Sequence, residues 1–158
     1  MQDIQYLTFH LSEETFGLGI LHIKEIIEFE SLTNVPMMPD YIPGIINLRG
    51  NVVPVIDLNM RFYKTKTKTS RKTCIIITEV NLESETVDVG LLVDTVDEVV
   101  DIHEEKIEDP PNFGSKIRLD FIQGLGKLDS GFVIILKINQ ILNLSEIQDI
   151  QEKSLNLN

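Results

Sequence analysis

The sequence predicts an all-β fold: two five-stranded β-barrels around a shared hydrophobic core, followed by a short C-terminal helix. Three observations carry this. One β unit recurs: Phe16 to Ile27 lines up with Val89 to Val100 at an offset of 73. Gly44 to Asn59 lines up with Gly124 to Asn139 at an offset of 80, so the same unit is used twice in the same order. Val52 to Leu58 and Phe132 to Ile138 are apolar on both strand faces, which requires cover on both sides of each sheet. A barrel of roughly 70 residues buries too little to be stable alone, so the two must share a core.

Each element has its own local reason. Gln5 to Leu11 alternates, with Leu7, Phe9 and Leu11 on one face, as a half-buried strand does. Thr15 to Ile20 is a second short strand. Leu21 to Ile27 reads as a helical turn running into a strand. Leu32 to Pro39 is broken by Pro36 and Pro39 and is extended or turning. Gly44 to Leu48 and Val52 to Leu58 form a hairpin across Arg49-Gly50-Asn51. Gly124 to Leu128 and Phe132 to Ile138 repeat it across Asp129-Ser130-Gly131. Both are expected to be three-residue loops in which Gly supplies positive φ. Pro54 cannot donate to a ladder, so its nitrogen faces an edge or a bulge.

Tyr63 to Lys72 alternates Lys and Thr and reads as a linker. Cys74 to Val80 restarts a strand, Thr86 to Val93 pairs back, and Val99 to Ile102 ends another. His103 to Lys116, with Pro110-Pro111, reads as a long loop. Ser145 and Gln148 make a capping box for a short helix with Ile147 and Ile150 inside. The expected division is 1–66 for the first barrel, 67–144 for the second, and 145–158 for the helix and tail.

Composition bounds the function. The 158 residues carry a net charge of −11, with −3 in residues 1–66 and −8 in 67–158. A nucleic-acid binder needs a basic face. The basic cluster, Lys64, Lys66, Lys68, Arg71 and Lys72, has no interleaved aromatic beyond Tyr63. It reads as a solvated linker, with phosphate binding as the lesser alternative. No apolar run approaches the ~20 residues that span a bilayer, and no signal peptide is visible. One cysteine excludes an intrachain disulfide. A cytoplasmic location is expected.

Catalytic patterns are missing. An aspartic-protease dyad needs two symmetry-related aspartates. Asp94 has Leu21 as its counterpart, and Asp57 has Lys137. His10, His22 and His103 stand in no metal-ligand spacing with Cys74, and no phosphate-binding Gly loop is present. Gly124-Leu125-Gly126 reads as a bulge or close backbone approach, and Cys74 as a buried inert thiol. No metal, no cofactor and no enzymatic activity are expected.

The order of motifs resembles a known family. Tyr6-Leu7-Thr8-Phe9-His10-Leu11, Glu14-Thr15-Phe16-Gly17-Leu18 and Ile23-Lys24-Glu25-Ile26-Ile27 are similar to the opening of the bacterial chemotaxis coupling proteins, the CheW family. Val35-Pro36, Pro39, Pro43-Gly44-Ile45-Ile46-Asn47-Leu48-Arg49-Gly50 and Val53-Pro54-Val55-Ile56-Asp57-Leu58 follow in that family's order. Val93-Asp94-Thr95-Val96, Pro110, Gly124-Leu125-Gly126 and the strand ending at Ile138 complete it. The resemblance runs from about Gln5 to Leu144.

It implies two SH3-like barrels and a non-catalytic adaptor that couples the cytoplasmic tip of transmembrane chemoreceptors to the regulatory domain of the histidine kinase CheA. The same module also forms that kinase's regulatory domain and the front half of CheV. A stand-alone coupling protein is the expected form, since the chain ends soon after Leu144 and no kinase domain precedes it. Its location would be cytoplasmic, held at receptor arrays by its partners.

The resemblance places receptor contacts at Ile23, Glu25, Gly44 and Arg49, and a kinase contact at Phe113. Ile23 would be an apolar knob in a groove between the barrels, where a receptor helix lays its apolar face. Arg49 tops the first hairpin, where its guanidinium could hold a carboxylate or backbone carbonyls. The plainer readings are that Ile23 is core, Arg49 a solvated turn residue, and Phe113 packed beneath its own loop. Glu25 recurs as Glu98, which suits a role in the fold. The alternative function is a small-ligand-binding β module, since paired barrels create clefts.

Overall fold

A computed structural model describes residues 3–82, 85–110, 119–142 and 146. The strands are β1 Asp3–Leu11, β2 Glu14–Gly19, β3 Ile23–Glu28, β4 Gly44–Leu48, β5 Asn51–Asp57, β6 Cys74–Leu82, β7 Glu85–Val93, β8 Thr95–His103, β9 Ile107–Glu108, β10 Ile122–Leu128 and β11 Gly131–Leu136. Two short helices, α1 Leu58–Tyr63 and α2 Ile138–Ile141, follow the two hairpins. The fold is mostly β, in two curled sheets that form two SH3-like subdomains.

The repeat is exact in register. Gly44 pairs with Val55 and Leu48 with Asn51. Gly124 pairs with Ile135 and Leu128 with Gly131, every partner shifted by 80. The parallel pair Gly17 and Ile135 likewise matches Gly90 and Val55. The bridge between Thr33 and Ile45 matches that between Glu108 and Leu125.

The pairing also exchanges the copies. The sheet orders are β8-β1-β2-β11-β10-β9 and β3-β6-β7-β5-β4. The chain crosses from one sheet to the other at the 3-10 turn Ile20–His22, and again at Asp94 between β7 and β8. The division expected at 66/67 therefore does not coincide with the sheets. β1 and β2 join the strands of 95–136, and β3 to β7 form the other sheet. A repeat in sequence order cannot reveal this exchange, because either partner copy satisfies the same apolar pattern.

Three apolar clusters follow. Val53, Val55, Ile75, Ile77 and Leu92 fill one barrel. Tyr6, Ile102, Val133 and Ile135 fill the other, and Val53 and Val55 are the counterparts of Val133 and Ile135. Between them lies the largest cluster, with Phe9, Phe16, Phe62 and Phe121. Their rings run in sequence with centroid separations of 5.9, 5.8 and 5.4 Å, close enough for aromatic attraction beyond simple burial.

Several local expectations change. Both hairpin turns have two residues rather than three, since Asn51 and Gly131 already pair. Leu58 and Ile138 begin helices rather than ending strands. Part of the expected loop 103–116 is ordered as a 3-10 turn, Glu104–Lys106, and β9. The expected C-terminal capping box and Ile147 and Ile150 lie outside the described residues, of which Glu146 is helical.

Candidate interaction surface

The turn between β4 and β5 has positive φ at both central residues, 52° at Arg49 and 88° at Gly50. That is the geometry whose twist matches a two-residue hairpin, and it favours Asn, Asp or Gly at the first position. An Arg there accepts a backbone region that L-residues avoid. The Asn47 side chain steadies the turn, its Oδ1 accepting from Gly50 N–H at 2.9 Å. The Arg49 guanidinium is 70% exposed and forms an ion pair with Glu25 of β3, with Nη1 donating to Oε1 at 3.4 Å. The hydrogen bond and charge of Glu25 raise the guanidinium pKa further, so it stays charged.

Two expected receptor positions are therefore brought together by folding. Lys24, beside Glu25, pairs across β6 with Asp88 of β7 at 3.0 Å, so a row of alternating charge borders the turn. Ile23 is half-buried and packs against the central cluster, which gives it a core role whatever else it touches. Gly44 is buried, and a Cβ there would meet the Thr33 carbonyl oxygen at 2.4 Å. Close approach of two backbones explains that glycine by packing alone. Phe113 lies outside the described residues.

A cleft of about 620 Å³ opens between β3 and β4, lined by Ile27, Glu28, Glu30, Ile46, Leu48 and Ile75 among others. A second, of about 350 Å³, lies beside the Ile20–His22 turn and includes Tyr6, Leu21 and Leu136. Large apolar side chains are exposed in matched positions. Ile26 and Val99, 73 residues apart, are 41% and 52% exposed, and Val52 and Phe132, 80 apart, are 49% and 54% exposed. Sequence reasoning missed these pairs, although the repeat alignment already set them opposite each other.

The aspartates weighed for catalysis are structural. Asp57 caps α1, accepting from Met60 N–H at 3.2 Å. It also accepts from Thr67 N–H at 2.9 Å and Thr67 Oγ1 at 2.6 Å. Asp94 accepts from Asn59 Nδ2 at 2.8 Å and Ser12 N–H at 2.7 Å. His10 Nδ1 lies 2.6 Å from Asp97, and Nε2 lies 3.1 Å from Thr15 Oγ1, so the imidazole ties β8, β1 and β2 together. Burial, then the Glu28 charge, push the Cys74 thiol pKa up, away from thiolate reactivity. Among the described residues no cluster of His, Cys, Asp or Glu could hold a metal. No described helix is long and apolar enough to cross a membrane.

Comparison with known proteins agrees with this picture. The chain is 32% identical over 143 residues to the chemotaxis protein CheW of Klebsiella aerogenes, covering 90% of this chain and 84% of that one. It is 28% identical over 147 residues to that of Treponema pallidum, covering 93% and 86%. Among solved structures it is similar to the scaffolding protein TtCheW from Thermoanaerobacter tengcongensis, 37% identical, with a TM-score of 0.80 and 92% of each chain covered. The profile of the CheW-like domain matches residues 5–146, and with the duplicated two-barrel architecture this establishes that the chain belongs to the CheW-like domain family.

Proposed function

We propose that this chemotaxis scaffold couples chemoreceptors to the histidine kinase CheA without catalysis of its own, as a cytoplasmic protein held at receptor arrays by its partners. The observation that carries the receptor side is Arg49: an exposed, charged side chain on a strained turn, paired with Glu25. A hairpin that served only the fold would favour Asn or Gly at this position. The Glu25 pair holds the guanidinium against β3, the strand that carries Ile23, and a receptor helix would bring apolar side chains and backbone or carboxylate oxygens to this part of the surface. Gly44 supports the site indirectly, by letting β4 approach Thr33.

The matched exposed pairs support the kinase side. A partner built from the same two-barrel module would meet Ile26 and Val52, or Val99 and Phe132, with equivalent surfaces of its own. Phe113 belongs to this proposal as well.

The test is titration of a soluble receptor fragment and of a CheA regulatory domain against single variants. Arg49→Asp should weaken receptor binding at least about tenfold, the loss expected for a charge contact worth 1.4 kcal/mol or more in the complex. Val52→Ser and Phe132→Ser should weaken kinase binding and leave the melting temperature nearly unchanged. Unaltered receptor binding by Arg49→Asp would remove the receptor assignment. Unaltered kinase binding by both serine variants would remove the kinase surface.

A further inference from the structure

The basic segment after α1 is not a loose linker. Thr67 and Thr73 are buried while Lys64, Lys66, Lys68, Arg71 and Lys72 are exposed. Thr67 is held from both sides, giving Asp57 two hydrogen bonds and accepting from Asn59 Nδ2 at 2.8 Å. Further along, Ser70 N–H donates to Thr73 Oγ1 at 2.7 Å and Lys72 N–H to Ser70 Oγ at 3.1 Å. The backbone is thereby fixed as a strap. Residues 61–73 contain no acidic side chain, and among the described residues none of the five cations has an ion-pair partner.

The strap borders a cleft of about 440 Å³ lined by Met37, Met38, Met60, Ile42, Asp57 and Lys66 among others. Three of the four methionines in the chain stand there. Met37 is 87% exposed and has φ 63°, in the left-handed region. Unbranched thioethers adapt to varied apolar partners, which is why they recur at surfaces that accept more than one sequence. Of the two lining carboxylates, Asp40 is exposed, and Asp57 already accepts from Met60 and Thr67.

We propose that the Lys64–Lys72 strap and the Met37–Met38–Met60 cleft form a docking site for an acidic, amphipathic segment of a partner protein. The carboxylates of that segment would lie along the strap and an apolar side chain would enter the cleft. None of Ile23, Glu25, Gly44 and Arg49 lines this cleft or belongs to the strap, and the proposal does not depend on their assignment. Charge selects the occupant. A second copy of this chain, a nucleic acid or an anionic membrane would bring a large negative charge against a protein of net charge −11, and long-range repulsion opposes each. A short acidic segment brings a few carboxylates, all within a Debye length of the strap.

The test uses the full chain and a short fluorescent peptide that alternates Glu with Leu, followed by anisotropy. Saturable binding that weakens as salt is added is expected. The triple variant Lys64→Gln, Lys66→Gln, Lys68→Gln should bind about tenfold or more weakly, Met37→Ser several-fold more weakly, and Lys127→Gln, an exposed cation on β10, as the unaltered protein does. Thermal melts of each variant should match the parent, since these side chains are exposed. The proposal is overturned by an absence of saturable binding, or by equal binding of the triple variant. It is overturned too if a peptide with Gln in place of Glu binds as well, or if anionic phospholipid vesicles or a second copy of the chain outcompete the peptide.

Discussion

The β4–β5 and β10–β11 hairpins share a register to the residue yet differ at the tip. In the first, Arg49 and Gly50 both have positive φ, whereas in the second only Gly131 does, at 137°. Asp129 and Ser130 thus turn the chain without entering the left-handed region. The fold needs a two-residue turn at each place, and two solutions serve. Backbone strain at Arg49 is then a property of that copy alone, and a strain the fold does not require is where a binding role is best sought. The same comparison separates Asp57 from Lys137. The aspartate caps α1 and anchors Thr67, while the lysine that precedes α2 makes no side-chain cap.

The largest effect should come from breaking that second contrast. Asp57→Ala removes a helix cap and leaves buried Thr67 groups unsatisfied, costing about 2–4 kcal/mol together. Lys137→Ala should stay within about 0.5 kcal/mol of the parent. Urea melts of the two variants read the difference directly, and equal stabilities would mean that the Asp57 network does not hold the strap.

The next contrast is between glycines at matched positions. A Cβ at Gly44 would meet the Thr33 carbonyl oxygen at 2.4 Å, and one at Gly124 would meet the Glu108 carbonyl oxygen at 2.8 Å. Gly44→Ala should destabilise by about 1–3 kcal/mol, and Gly124→Ala by less. Any loss of receptor binding in Gly44→Ala should then track its loss of stability. A stable Gly44→Ala variant with impaired binding would show that the glycine faces the partner.

The smallest effect on stability, and the sharpest on function, belongs to the turns themselves. Arg49→Asn relieves the left-handed conformation and should raise the melting temperature by about 2–4 °C. It should also lose receptor binding. Asp129→Asn should change neither. If Arg49→Asn melts lower than the parent, the Glu25 ion pair outweighs the turn strain, and the case for a strained binding residue fails.

Much of this was legible in the chain. Alternation in β1, the repeat offsets, the Gly-containing turns and the apolar doubling of β5 and β11 led to two barrels and a shared core, because period and burial are local properties of residue type. Motif order led to the family. The sequence also placed Lys64 to Lys72 as one basic run. Other features depended on which segments meet. The exchange of β1 and β2 into the second sheet is invisible to pattern, since both copies present the same faces. Glu25 and Arg49 lie 24 residues apart and become partners only when β3 and the β4–β5 turn are folded beside each other. Thr67 looked like linker, and only its burial against Asp57 turned that linker into a fixed strap. Local periodicity reports how a segment pairs and which face it hides; long-range contact decides which segment it pairs with, and so where charge and exposed apolar surface are left for a partner.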